Sequence, residues 1–272
     1  MRWRHLVAWL TCLLLARGAA AAPAAELWAR WTAHRATAEA AIDHQTWDTL
    51  LKKYLVPAES GLSRFRYGAV SAADKDALAA YLATMQAIRI DEYARAEQRA
   101  YWINLYNAAT VQVVLDHYPV KSIREIRLGG LFSAGPWRKR FLEVAGDAVS
   151  LDDIEHRILR PIWRDPRIHY AVNCASIGCP NLSSSAYSAS NFDELTAASA
   201  HAYVNSSRGV RLENGKLEVS SLYVWFRDDF GGSDAAVITH LVQHATAPLA
   251  ARLALKAKPD GDHYDWSLND SP

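Results

Sequence analysis

Two hydrophobic periods alternate along the chain, and the places where one gives way to the other predict its elements. Over residues 26–56, Trp28, Trp31, Trp47, Leu50, Leu51 and Tyr54 recur at three- and four-residue intervals, which predicts one or two helices. Residues 64–70 read as short and extended, with Phe65 and Tyr67 on one side. Ser71 followed by Asp74 has the form of a capping box and opens a helix through Leu78, Leu82 and Met85. The longest helical pattern covers residues 91–118. It is apolar at nearly every position, as befits a helix inside a domain, and Pro119 closes it.

The second half mixes the two periods. Residues 141–144 and 148–151 flank Gly146-Asp147 as a β-hairpin, and residues 151–159 return to helix with Leu151, Ile154 and Ile158 as the buried stripe, ended by Arg160-Pro161. Ile168, Tyr170, Val172 and Cys174 then alternate with His169, Ala171, Asn173 and Ala175. This predicts a central strand with one apolar face and one face carrying imidazole and amide. The strand should end near Ser176, because Gly178 and Pro180 bracket Cys179 in a turn. If Pro180 opens a short helix, the Cys179 sulfur lies beside unpaired N–H groups that favour a thiolate. Asn191 caps a helix through Leu195 and Tyr203, and residues 210–219 form a hairpin about Asn214-Gly215. A helix over residues 233–255 and a last edge strand over residues 264–268 complete the series.

Length and charge narrow the class. Half of the 272 residues are apolar, which suits one domain over residues 25–272. Residues 1–24 have the marks of an export signal: a basic Met1-Arg2-Trp3-Arg4-His5, an apolar run, and small residues around Pro23, with cleavage after Ala21 or Ala24. Its loss, with Arg2, Arg4 and Arg17, takes 30 basic residues to 27 against 29 acidic. No nucleic-acid footprint appears in that dispersed balance, and no second apolar run is long enough to span a membrane. The expected location is periplasmic or secreted. In an oxidising compartment the two remaining cysteines, Cys174 and Cys179, are open to a disulfide or to life as thiols.

The candidate chemistry gathers around them. On the long helix Asn104 and Asn107 share a face, with Tyr101 one turn earlier. Two buried amides either bond the backbone of neighbouring loops or orient a base or an oxyanion. His169 and Cys174 would stand about 16 Å apart on opposite faces of one strand, so the pairing open to His169 is with Cys179, and Asn173 shares its face. His156, with Glu155 beside it, is the competing base. The catalytic candidates are therefore Cys179, His169, Asn173, His156 and Asn104, and those for holding substrate are Tyr101, Asn107, Glu155, Cys174 and Ser176. Metal-binding spacings such as His-x-His, His-Glu-x-x-His and Cys-x-x-Cys are missing, as are phosphate-binding glycine loops, so no metal or cofactor is expected. Asp228-Asp229 beside Phe230 reads as a turn or cap.

The motifs Tyr101-Trp102-Ile103-Asn104-Leu105-Tyr106-Asn107-Ala108, Leu151-Asp152-Asp153-Ile154-Glu155-His156, Leu159-Arg160-Pro161, the run from Arg167 to Cys174, Cys179-Pro180 and Asp229-Phe230 resemble domain-of-unknown-function family 547, over about residues 92–231. The family has exported bacterial members and no settled activity, and is grouped with papain-like and transglutaminase-like cysteine enzymes. The resemblance implies an α+β fold in which a central buried helix lies against an antiparallel sheet, with additional packing helices. Papain-like enzymes carry the nucleophile at the start of that helix, where this chain has asparagines instead. Two functions follow. One is an exported cysteine hydrolase or acyltransferase acting on amide bonds. The other is a non-catalytic envelope domain with a Cys174–Cys179 bridge, binding a peptide, a cell-envelope polymer or an envelope protein.

Overall fold

In the computed structural model, which describes residues 23–57, 61–130 and 134–271, the long apolar pattern becomes helix α3 (Arg95–His117), numbered after α1 (Gln45–Tyr54) and α2 (Ala72–Gln86). The export signal expected over residues 1–24 falls, but for its last two residues, outside the described part. Every side chain from Ala100 to Val111 on α3 is buried, including both asparagines. The larger core forms around this helix, and α2 packs along it with Leu78, Tyr81, Leu82 and Met85 turned inward. As the capping box requires, the Ser71 hydroxyl accepts the Asp74 N–H at 3.2 Å.

Strands are short. The pairs β1–β2 (Leu55–Val56 with Arg64–Phe65) and β3–β4 (Leu142–Val144 with Asp147–Val149) are small antiparallel ribbons, the second at the expected hairpin. Strands β5 (Val210–Glu213) and β6 (Lys216–Ser220) form the other expected hairpin, with Asn214 and Gly215 both at positive φ. Strand β7 (Gly261–His263) joins β6 in parallel, a few residues before the segment expected to supply it. The architecture is thus α+β, but the single antiparallel sheet expected opposite the central helix is not formed among the described residues. α3 lies instead against α2 and the helical turn that follows β4.

The expected central strand is also replaced. Residues Ile168–Ala171 form a short helix, α5, and the chain is extended only from Val172. The Asp165 side chain accepts the Arg167 N–H at 2.9 Å, Pro166 stands at the helix entry, and Ile168 N–H reaches Asp165 O at 3.1 Å. An Asx turn followed by proline starts a helix. The alternation that suggests a strand has no physical content here, because Ile168, His169, Tyr170 and Ala171 are all buried. Pro180 opens no helix either, and the pattern over residues 233–255 breaks into α8 (Asp234–His244) and α9 (Ala247–Leu253), with Pro248 in the first turn of α9. Before them come α6 (Phe192–Val204) and α7 (Ser221–Trp225), which enclose a second, smaller core with β5, β6 and α8. Asn191 precedes α6 without capping it by its side chain, which bonds Ser188 N and Ala186 O instead.

Arg160-Pro161 does not end its helix. The chain runs through a π-helical turn, Asp153–Leu159, into α4 (Arg160–Trp163), and stops only at Arg164, in the left-handed region at φ 50°. Pro161 has no N–H to offer the preceding turn. Two carbonyls there, His156 O and Arg157 O, instead accept Glu26 N–H at 3.0 Å and Trp28 N–H at 2.9 Å. The widened turn and the borrowed donors let a proline sit inside a helix.

The asparagines of α3 fasten the loops that cross it. Asn104 Nδ2 donates to Tyr187 O at 2.8 Å while its Oδ1 accepts Tyr187 N–H at 2.9 Å. One turn on, Asn107 Nδ2 donates to Ala171 O at 2.9 Å and Oδ1 accepts Asn173 N–H at 2.8 Å. Replacing Asn104 with leucine would leave a buried N–H and a buried C=O unpaired. A stability loss of about 3 kcal/mol should show in urea unfolding, and a loss near zero would mean that these bonds are unimportant.

Candidate functional site

The cysteines and histidines expected to converge lie in two separate clusters. In the first, Cys174 and Cys179 form a disulfide, with Cα atoms 6.3 Å apart. The reversal after Ser176 is therefore present, but it brings the two sulfurs together rather than carrying Cys179 to an imidazole. Asn173 shapes the turn: Oδ1 accepts Ala175 N–H at 2.9 Å and Nδ2 donates to Pro180 O at 2.7 Å. Ala175 sits at φ 59°, a strained value for a residue with a Cβ, held by that bond and by Asn269 N–H, which reaches Ala175 O at 3.1 Å. Ser176 Oγ lies 3.2 Å from Cys174 Sγ. The Tyr264 hydroxyl, which no local sequence pattern marks, lies 3.1 Å from Cys179 Sγ and 3.3 Å from Cys174 Sγ.

The second cluster surrounds His169. Its Nε2 lies 2.7 Å from Asp229 Oδ2, its Nδ1 is 3.8 Å from Glu155 Oε1, and its ring stacks on Phe226 with centroids 4.3 Å apart. Arg160 Nε donates to the same Asp229 oxygen at 2.6 Å, and Arg160 Nη1 reaches His156 Nδ1 at 3.1 Å and Pro23 O at 2.7 Å. The guanidinium also lies 4.6 Å from the Phe226 centroid, so one aromatic ring carries His169, His156 and Arg160 around it. The residues expected to act together are therefore divided. His169, His156 and Glu155 are gathered at Asp229. Cys174, Ser176 and Cys179 are gathered at Tyr264, and Asn173 shapes their loop. Asn104, Asn107 and Tyr101, whose hydroxyl donates to Met85 O at 2.9 Å, serve the packing.

Asp228-Asp229 is more than the turn or cap expected, because Asp229 is the common acceptor of the charged cluster. The Asp229-Phe230 motif is its one signal in the sequence, but nothing local tells a capping aspartate from one reached by a distant arginine. Burial alone would raise the Asp229 carboxyl; the hydrogen bonds from His169 and Arg160 outweigh it and hold it down to about 2. Burial holds the His156 ring down to about 4, against the pull of Glu155. Burial also raises Asp152, with Glu155 adding to the effect, to about 6.

Beside this cluster opens a cavity of about 350 Å³, lined by Ala25, Leu27, Arg160, Arg164, Asp165 and Asp228, among others, with Asp229 at its wall. Mixed charge at its rim suits a ligand with both donors and acceptors. Among the described residues no group of three or more histidine, cysteine, aspartate or glutamate side chains is arranged to hold a metal ion. Residues 90–204 match the model of a family described as a protein of unknown function, DUF547, which supports the resemblance seen in the motifs. The match takes in α3, the π-helical turn and the cystine loop, and stops short of Phe226, Asp229 and Tyr264. No curated protein and no solved structure matches the chain.

Acid should loosen the fold. Burial holds His44, His156 and His240 each at about 4, whereas the unfolded chain protonates them near the ordinary 6.5. Their contribution is complete above about 6.5 and is lost as the pH falls toward about 4. Asp152 acts in the opposite sense, since its cost to stability builds as the pH rises from the ordinary 3.8 to about 6 and is complete above that. Three imidazoles outweigh one carboxyl, so the urea midpoint should fall from pH 7 to pH 4.5, and a flat profile would contradict the burial of these rings. The depressed Asp229 carboxyl contributes above its unfolded value of 3.8 and is lost as the pH falls from there toward about 2. Asp229→Asn should thus cost about 2 kcal/mol at pH 7, measured by the same unfolding, with the difference from the parent shrinking below pH 4.

Proposed function

We propose that the chain is an exported cell-envelope domain that binds a peptide or an envelope polymer and does not turn it over, with the cavity beside Arg160 and Asp229 as its binding site. The observation that carries this reading is the bond between the two sulfurs. A cysteine hydrolase or acyltransferase needs a thiolate with an imidazole in reach. Cys179 here is bonded to Cys174, and the polar contacts of its sulfur among the described residues are a backbone N–H and a tyrosine hydroxyl. His169 in turn is committed to Asp229 and stacked on Phe226. The scaffold in this reading is a papain-like one whose central helix carries loop-fastening amides where a nucleophile would stand. Export accords with a bridge that an oxidising compartment maintains.

Alkylation of the mature protein, denatured without reductant, should label neither Cys174 nor Cys179. Two labelled thiols, with turnover of an amide substrate lost in Cys179→Ser, would overturn the binding reading in favour of the enzyme. On the binding reading Cys179→Ser costs about 2 kcal/mol of stability, the expectation for so short a closed loop. The cavity is tested by co-sedimentation with insoluble cell-wall polymer and by fluorescence titration with envelope peptides. Reversing the charges at its rim with Arg164→Glu and Asp228→Lys should weaken retention at least about tenfold, the scale of a lost charged contact. Unchanged retention in the double variant would exclude this cavity as the site.

A further inference from the structure

The polar groups around the cystine are arranged unequally about its two sulfurs. Cys179 is 5% exposed and Cys174 is half-buried. The backbone N–H of Cys174 points at Cys179 Sγ at 3.1 Å, and the Tyr264 hydroxyl lies at the same distance from that sulfur. Cys174 Sγ has no backbone donor among its contacts in the described residues; it meets the hydroxyls of Ser176 at 3.2 Å and Tyr264 at 3.3 Å. A sulfur within a disulfide accepts hydrogen bonds weakly, whereas a thiolate accepts them strongly. Donors aimed at Cys179 therefore contribute most when the bond is broken.

Tyr264 is held in place by the local fold. Ile177 N–H donates to Ser267 O and Gly178 N–H to Asp265 O, each at 2.8 Å, which laces the C-terminal segment onto the cystine loop. The approach is so close that a Cβ at position 178 would stand 2.8 Å from the Tyr264 ring, so only glycine admits it. Burial pushes the Tyr264 hydroxyl well above its ordinary range and keeps it a donor. The charged groups that influence that ring, Glu155 and Arg208, are of opposite sign. Arg208 Nη1 donates to the Cys179 carbonyl at 2.6 Å.

We propose that the Cys174–Cys179 bridge is a thiol–disulfide exchange site, attacked at Cys174 by a small external thiol, with Cys179 as the leaving thiolate held by the Cys174 N–H and the Tyr264 hydroxyl. The incoming thiolate forms a disulfide with Cys174 Sγ, the Cys174–Cys179 bond breaks, and its electron pair stays on Cys179 Sγ. A second thiolate then attacks the external sulfur of the mixed disulfide and releases Cys174. In sum, two thiols are oxidised to one disulfide and the cystine is reduced to two thiols, with the protons passing from the former to the latter. A leaving sulfur stabilised as thiolate departs faster, which sets the direction of attack. The half-buried setting of Cys174 suits a low-molecular-weight thiol. This activity does not depend on what the cavity beside Arg160 binds.

Glutathione is a suitable probe for the folded mature protein. Brief exposure to reduced glutathione, quenching with an alkylating reagent, and peptide mapping by mass spectrometry should find glutathione on Cys174 and the alkyl group on Cys179. Tyr264→Phe, with its fold checked by circular dichroism, should slow reduction about tenfold. In Cys174→Ser the lone Cys179 should show thiolate absorbance at 240 nm with a midpoint below the ordinary thiol value of about 8.5. Glutathione found on Cys179, no adduct until the protein is unfolded, or a Tyr264→Phe variant reduced as fast as the parent would each overturn the proposal. Should either variant fail to fold, the adduct map of the parent protein decides alone.

Discussion

Amide-to-backbone pairing on helix α3 is the constraint from which the rest of the structure hangs. A helix apolar on all sides can be buried against anything of the right volume, and hydrophobic contact alone does not say which loop lies where. Asn104 and Asn107 remove that freedom. Each offers one donor and one acceptor to a single crossing strand of backbone, so residues 171–173 and Tyr187 have one register with good geometry and several that strand polar groups. With Ala171 and Asn173 pinned, the end of α5 and the cystine turn are placed. Asn173 then passes the same kind of constraint onward to Ala175 and Pro180.

The charged cluster sits on the opposite outcome of that placement. With the end of α5 fixed, His169 meets Asp229, where Arg160 arrives from the continuation of the π-helical turn. Burying a histidine, an arginine and two carboxylates together is tolerable because each charge has a partner and the Phe226 ring covers them. The two halves of the expected site thus find different partners although one helix end positions both.

Much of this was legible in the sequence, and the misses have physical causes. The capped helix after Ser71, the buried helix with its paired asparagines and the Asn214-Gly215 hairpin follow from local rules that tertiary context left alone. The stretch around His169 misled because an alternating pattern carries information only when one face meets water, and here neither does. Asp165-Pro166 was the better signal, a helix start that local chemistry enforces. Pro161 misled for a related reason: proline ends a helix unless another segment supplies the missing donors, and no reading of residues 151–163 alone can see Glu26 and Trp28. Of the site, the disulfide was one of two open readings. The partnership of His169 with Asp229 joins residues 60 apart in sequence and had no local sign.

The manner in which the chain completes the proline-interrupted helix reaches back to its beginning. Residues 23–28 are fastened by their own main chain to the π-helical turn, and the carbonyl of Pro23 is an acceptor for the nearly inaccessible guanidinium of Arg160. If the chain is exported as proposed, the two leader-cleavage positions expected from the sequence are not equivalent for the folded product. A cut after Ala21 leaves that carbonyl in place. A cut after Ala24 would take it away, put a new ammonium group at Ala25 on the wall of the mixed-charge cavity, and leave a buried cation with one acceptor fewer, so that the choice of bond would set the charge of the pocket.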